Sequence, residues 1–475
     1  MAAETQPTLP PLDHGQGYPR ITRSSPVRDL GPVALDYKRS VEGSGRKMPP
    51  SPQTYWEAAA PSNEIARLFQ PPVVEFLKRA YIERPLLPER GVLFYYLRHL
   101  AKPPDMVNLH VMGEDDPPPP GKFIRLYELS DFRYGGDNEG LLLNQHTMKA
   151  SFVTDFNDTG GVCALPFAWM PLEIILDAYL QMNDEGKVEA ITDERVDYLV
   201  DELGSLWVDT PWVMHQYTAA DVVRAVAAFK RLVTAIHARM PEDDSNDWID
   251  LPWLDPASFT QPNVLPPSTF AQEFLTAIAH IKVRFRHVAP GLRFPTVPEF
   301  LDQPFTDFET RPFNSVGQFP GNCPLKIFQV VCNQPVPDPP ILDWPSLNLP
   351  AAFYIHPVVQ EPPLCFSNGC HLALPFVIGK KGHARKSNGE PFGRDYLDFK
   401  PEPRTEHDGL YQSRMTDGFA EYHYVQIDKV LRNWAERVER GDWDIDHDGV
   451  TGGIEMFREA DTEEHWEKYW IPPSW

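Results

Sequence analysis

Proline limits what this chain can build. There are 51 among 475 residues, close to twice the roughly 5% of an average protein. Each fixes φ near about −65°, removes a backbone donor and turns the residue before it away from helix. The prolines run the whole length of the chain. The expectation is therefore many extended loops and short elements, with no single disordered tail to hold the excess.

The fold class that follows is α+β, with mixed short strands, a central group of amphipathic helices and a C-terminal helix-loop-helix. Residues 1–60 are rich in Pro, Gly and Ser and read as an extended or disordered N-terminal arm. The body, 61–405, opens with two short helices, SNEIARLF with Ser62 as N-cap and PPVVEFLKRAYIE with Pro72 in its first turn. Two strands are expected at about 107–112 and 122–129, joined by an acidic loop stiffened by four prolines. More strands run through LLLNQHTMKASFVTDF. A helical middle follows over 171–288, with four amphipathic segments. In the third, Val222, Val223, Val226, Phe229, Val233 and Ile236 give the spacing of one buried face. Thr218 with Asp221, and Thr269 with Gln272, read as capping pairs. Short β-like runs return in KIFQVVC, AAFYIHPVV and HLALPFVIG. Residues 406–475 hold the C-terminal helices, whose Trp466, Tyr469, Trp470 and Trp475 look suited to docking on a core. No repeat of 20–50 residues is visible, which argues against a solenoid or propeller.

The formal charge of −23 repels phosphate backbones, so general nucleic-acid binding is not expected. Five cysteines in a chain this long do not make a disulfide framework. No apolar run approaches 18 residues, and the first residues carry neither a basic nor an apolar leader segment. The expectation is a cytoplasmic protein with no membrane association.

One stretch carries a specific chemical signature: DWDIDHDGVTGGIE, Asp442 to Glu455. Counting from Asp444, aspartates stand at positions 1, 3 and 5, Gly449 at 6, Val450 at 7, Gly452 at 9 and Glu455 at 12. This resembles the EF-hand calcium loop. Calcium takes six to eight oxygens, and alternate carboxylates in a tight loop can supply them. The resemblance implies Ca2+ as cofactor. It implies side-chain ligands at Asp444, Asp446, Asp448 and Glu455, the carbonyl of Val450, and water at Gly452. Thr451 stands where the family has an aliphatic residue, and Gly441 should cap the incoming helix before the loop. The alternative is an acidic turn leading into a helix, whose N-terminus favours Asp and Glu.

A second stretch, GKKGHARKSNGEPFGR at 379–394, gathers cations and glycines after an apolar strand. Such a loop can cradle a phosphate or carboxylate, with Lys381, Arg385 and Lys386 holding the anion. The alternative is a solvated hairpin loop. A third, CFSNGCH, places Cys365, Cys370 and His371 within zinc spacing, with His356 or His383 as the nearest further ligands. Reduced cysteines are the competing reading. No nucleophile elbow, HExxH or dinucleotide fingerprint is present. His465 and Glu467, two apart on an expected helix, do not share a face.

Two classes of function follow. One is an enzyme carrying a structural calcium loop and acting on a small anionic substrate, with transferase or ligase chemistry preferred. The other is a calcium-dependent protein-interaction module, in which proline-rich segments present extended surfaces to a protein partner.

Overall fold

The computed structural model describes residues 53–82, 97–108, 120–129, 140–153, 170–172, 176, 184–190, 212–242, 248–254, 265, 267–304, 325–331, 350–356, 369–385, 407–411 and 425–471. Helices and strands mix in an α+β arrangement, with two hydrophobic cores among the described residues. Most of the expected arm, 1–52, lies outside the described residues, as do the first two helices of the expected helical middle apart from 172, 176 and 184–188.

Local capping starts the N-terminal part earlier than expected. Thr54 and Glu57 form a reciprocal capping box for the helix Tyr55–Ala59, a pairing worth about 1 kcal/mol. Ser62 caps the next helix through Ile65 N at 3.3 Å, as its position predicts. Prolines occupy the first turn of the helix Pro71–Arg79, where their missing donor costs nothing. Five strands, Leu97–Leu100, Phe123–Leu129, Gly140–Asn144, Lys149–Val153 and Met170–Pro171, pair antiparallel in chain order. The strand expected at 107–112 is not seen up to 108, because Pro103–Val107 is a short helix with proline in its first turn; 109–112 fall outside the described residues. Gln145 ties helices to sheet: its amide donates to Leu68 O at 3.0 Å and to Gly121 O, and its oxygen accepts from Gln70 N at 2.8 Å.

The second core runs from Tyr217 to Ile471. Its sheet is an antiparallel meander of six strands: His287–Ala289, Leu292–Arg293, Leu325–Val330, Ala352–Ile355, Cys370–Ile378 and His407–Leu410. Three of these are the β-like runs read from the sequence. A hairpin of Ile445–Asp446 and Gly449–Val450 extends the sheet, pairing parallel to the first strand at His287 and Gly449. The turn between the first two strands of the meander places Gly291 at φ +67°, with its backbone against that of Ile454. The C-terminal segment is thus built into the sheet.

Two long helices, Ala219–Arg239 and Ile427–Arg440, pack on one another and on the core. Thr218 and Asp221 form the expected capping box. Phe229, Val233 and Ile236 are buried as expected, and Val222 and Val226 are partly so. Val223 is instead 67% exposed. Ala225, Ala228 and Leu232 complete the face, and the small alanines let a neighbour approach. Thr269 caps Phe270–Ile278, but Gln272 reaches back to Ser268 N, not to Thr269. That helix ends at Ile278. Val283 and Phe285 then alternate with the more exposed Arg284 and Arg286, which is the period of a strand. No helix among the described residues is long and apolar enough to cross a membrane.

At the end of the strand Leu292–Arg293, Arg293 grips Glu299 with two bonds of 2.9 and 2.6 Å. That pairing first, aided by Thr296, holds the Glu299 carboxyl at about 2 against an ordinary 4.5. A depressed carboxylate contributes stability above its unfolded pKa and loses it as pH falls through the folded one. Melting temperature should therefore carry a component lost between about pH 4.5 and pH 2, and Glu299→Gln should remove that component in a pH series of melting curves. An unchanged slope in the variant contradicts the assignment.

Candidate functional site

The incoming helix ends where the sequence predicts. Gly441 adopts φ +80° and donates to Val438 O, and Asp442 N donates to Arg437 O. Arg239 then binds the carbonyls of Val438 and Trp443. Cations suit a helix C-terminus, so this end is fixed from both sides. The Asp442 carboxylate takes Arg437 at 2.9 Å and Lys468 at 3.3 Å.

The next eight residues form a hairpin. Thr451 N donates to Asp444 O at 2.9 Å, Ile445 faces Val450, and Asp446 faces Gly449. His447 and Asp448 make the turn, and Asp446 Oδ1 accepts from Asp448 N at 2.8 Å. The main chain is clamped to the sheet: Asp448 O accepts from both Arg286 N and His287 N at 2.9 Å. Gly449, at φ +106°, lies so close to His287 O that a β carbon would stand 2.4 Å from it. The carboxylates of Asp444, Asp446 and Asp448 are exposed, and none forms an ion pair with a described residue. Val450 is buried in the strand.

Glu455 is also exposed, at the start of the 3₁₀ segment Ile454–Asp461, and pairs with Arg458. The structure therefore brings three of the expected oxygen ligands onto one small hairpin and leaves the fourth turned to an arginine. Among the described residues, no three His, Cys, Asp or Glu side chains are gathered to hold a metal ion. The donor chemistry fits a hard cation. Closing a cage would require Glu455 to leave Arg458.

The basic loop is organised by a residue that no motif or spacing singles out. Asp461, 5% exposed, sends its carboxylate into the loop. Oδ2 accepts from Gly379 N and Lys381 N at 2.9 Å; Oδ1 accepts from His383 N at 2.9 Å and Ala384 N at 3.1 Å. Arg385 folds onto its own loop, donating to Gly382 O and Ala384 O, and lies over the Trp466 ring at 5.1 Å. Lys381 is exposed. Lys386 lies outside the described residues.

Cys370 and His371 are successive residues of one strand, so their side chains take opposite faces. The Cys370 thiol donates to Val425 O at 3.1 Å, and burial pushes its pKa well up. His371 stacks on Tyr354 at 5.3 Å and lies 5.8 Å from the His356 ring. Burial, then His356, pushes its pKa well down, so it is neutral at neutral pH. Cys365 falls outside the described residues. One strand cannot turn Cys370 and His371 to the same ion.

A buried ion cluster also escaped the sequence reading. Lys187, 1% exposed, meets Asp221 at 3.5 Å, and Arg224 joins Asp221 to Glu185. Burial lowers the Lys187 pKa, with Asp221 opposing. A lysine 34 residues from its partner carries no local signal.

No family model, no curated protein and no solved structure is detectably similar to this chain.

Proposed function

We propose that the Asp444–Glu455 segment binds calcium as a clip on the C-terminal part of the core, and that the protein acts as a calcium-dependent interaction module. The observation that carries this reading is the set of three exposed carboxylates, none ion-paired with a described residue, on a hairpin whose backbone is clamped to the sheet. Like charges on one small hairpin repel, and a hard divalent cation relieves that repulsion. Ile445 and Asp446 stay in register with their partners while the carboxylates reach outward. Glu455, one residue into the 3₁₀ segment, would add its oxygens on leaving Arg458. Because that rearrangement opposes binding, the affinity expected is weak, with Kd on the order of 10⁻⁴–10⁻³ M.

An enzyme acting on an anionic substrate is the less supported reading. The four backbone donors of the basic loop that would cradle the anion are engaged by Asp461.

Calorimetric titration of calcium into chelator-treated protein tests the proposal. One site is expected, accompanied by a rise in melting temperature. Asp446→Asn should abolish the heat, and Glu455→Ala should weaken it. Absence of binding at about 10 mM calcium, well above the weakest range expected of such loops, would leave the segment a purely structural hairpin.

A further inference from the structure

The basic loop is built as a receptor for a carboxylate. Four backbone N–H groups within six residues, those of Gly379, Lys381, His383 and Ala384, converge on one carboxylate, a concavity that favours anions. Gly379 at φ +97° and Gly382 at φ +77° give the backbone the turns that bring the donors together. Gly382 N donates to Gly379 O at 2.9 Å, closing the loop on itself. Lys380 and Lys381 stand exposed at its rim, with His383 partly buried beside them. The occupant comes from the other end of the second core: Asp461 is the last residue of the 3₁₀ segment, and both its oxygens are used. Two cation–ring contacts hold the same surfaces together, Arg385 over Trp466 at 5.1 Å and Arg458 over Phe376 at 3.8 Å.

We propose that the Gly379–Ala384 loop is a carboxylate-binding nest and that Asp461 is its built-in ligand, holding the site closed from within the chain. With Asp461 withdrawn, the nest takes a small free carboxylate in its place. The proposal does not depend on the cation reading, since none of its donors or acceptors belongs to the hairpin.

The test uses matched fragments. Asp461→Ala removes the carboxylate, for which formate is the missing piece; Asp461→Gly removes the methylene as well, for which acetate is the piece. In the full chain, Asp461→Ala should melt about 5 °C or more below the wild type, because four charge-assisted bonds are lost. Formate at about 0.1 M should then raise the variant's melting temperature saturably, by about 2 °C or more over equal chloride, and leave the wild type unmoved. Acetate should do the same for Asp461→Gly. Hydrogen exchange at the amides of Gly379, Lys381, His383 and Ala384 should be slow in the wild type, fast in the variant and slow again with formate. A variant that melts like the wild type, or one whose amides stay fast and whose stability ignores formate, overturns the proposal. Should neither variant fold, wild-type exchange decides: fast exchange at these four amides overturns it, and slow exchange with loss of protection in Asp461→Asn supports it.

Discussion

Trp434→Ala should lower unfolding free energy by about 4–5 kcal/mol, near the top of the range for large-to-small core changes. Trp434 is fully buried at the meeting point of the second core. Its ring lies 5.2 Å from Phe353 and 6.1 Å from Phe328 on the sheet, 6.4 Å from Trp443 at the hairpin and 6.5 Å from Phe457 in the 3₁₀ segment. Its indole N–H donates to the Tyr411 hydroxyl at 3.0 Å. Truncation therefore removes ring contacts to the sheet, the hairpin and the 3₁₀ segment, and it strands a buried phenol. Denaturant unfolding followed by near-UV dichroism measures the loss; a change below about 1 kcal/mol, typical of surface positions, would mean that the ring is not central. Trp434→Phe should fall between the two, because it keeps an aromatic body but loses the donor.

Gly449→Ala is the second large effect, about 3 kcal/mol or more. Two costs coincide there. The residue sits at φ +106°, and its new methyl would stand 2.4 Å from His287 O and 3.0 Å from the Phe285 β carbon. Neither neighbour is the free end of a flexible side chain, so the hairpin must lift from the sheet edge. The loss should appear with calcium removed, because it arises from strand pairing and not from ligation. If stability in chelator is unchanged and only calcium affinity falls, then the glycine serves the loop alone.

Side-chain period made much of the fold legible. Ala219–Arg239 announces itself through apolar residues three and four apart and through Thr218 three residues before Asp221. Leu325–Val330, Ala352–Ile355 and Cys370–Ile378 are short apolar runs bounded by turn residues or proline. Where reading by period failed, a second pattern lay beneath it. The apolar residues after Ile278 continue a helix if counted by threes and fours, but Val283 and Phe285 obey a period of two and are buried in extended chain that leads into the strand His287–Ala289. The C-terminal apolar residues likewise suggest one helix from Ile454 onward. The chain instead forms a 3₁₀ segment, Ile454–Asp461, and a separate turn of helix, Trp466–Tyr469, with Tyr469 docked and Trp466 only partly buried.

The candidate sites were legible only as local sets. The three aspartates and Gly449 share one hairpin because they share eight residues of chain. Glu455 lies four residues beyond the hairpin's end, where the conformation of Gly452 and Gly453 decides its direction, and spacing does not encode that. Asp461 had no signal at all. It is an acid near the end of an amphipathic run, and its partners are 77–82 residues away. Only the fold brings a carboxylate and a ring of backbone donors together, because backbone donors have no signature in side-chain identity.

The calcium reading can be tested at the hairpin itself. Trp443 is buried and immediately precedes Asp444, so a terbium ion held by the three aspartates lies within range of energy transfer from its indole. Terbium is a hard cation that takes oxygen ligands as calcium does. Titrated into chelator-treated protein under tryptophan excitation, it should give sensitised emission that saturates at one site. Calcium should displace it, and Asp446→Asn should not show it. Emission that never rises above that of the Asp446→Asn variant would contradict the account and leave the alternating aspartates an acidic hairpin without a cation.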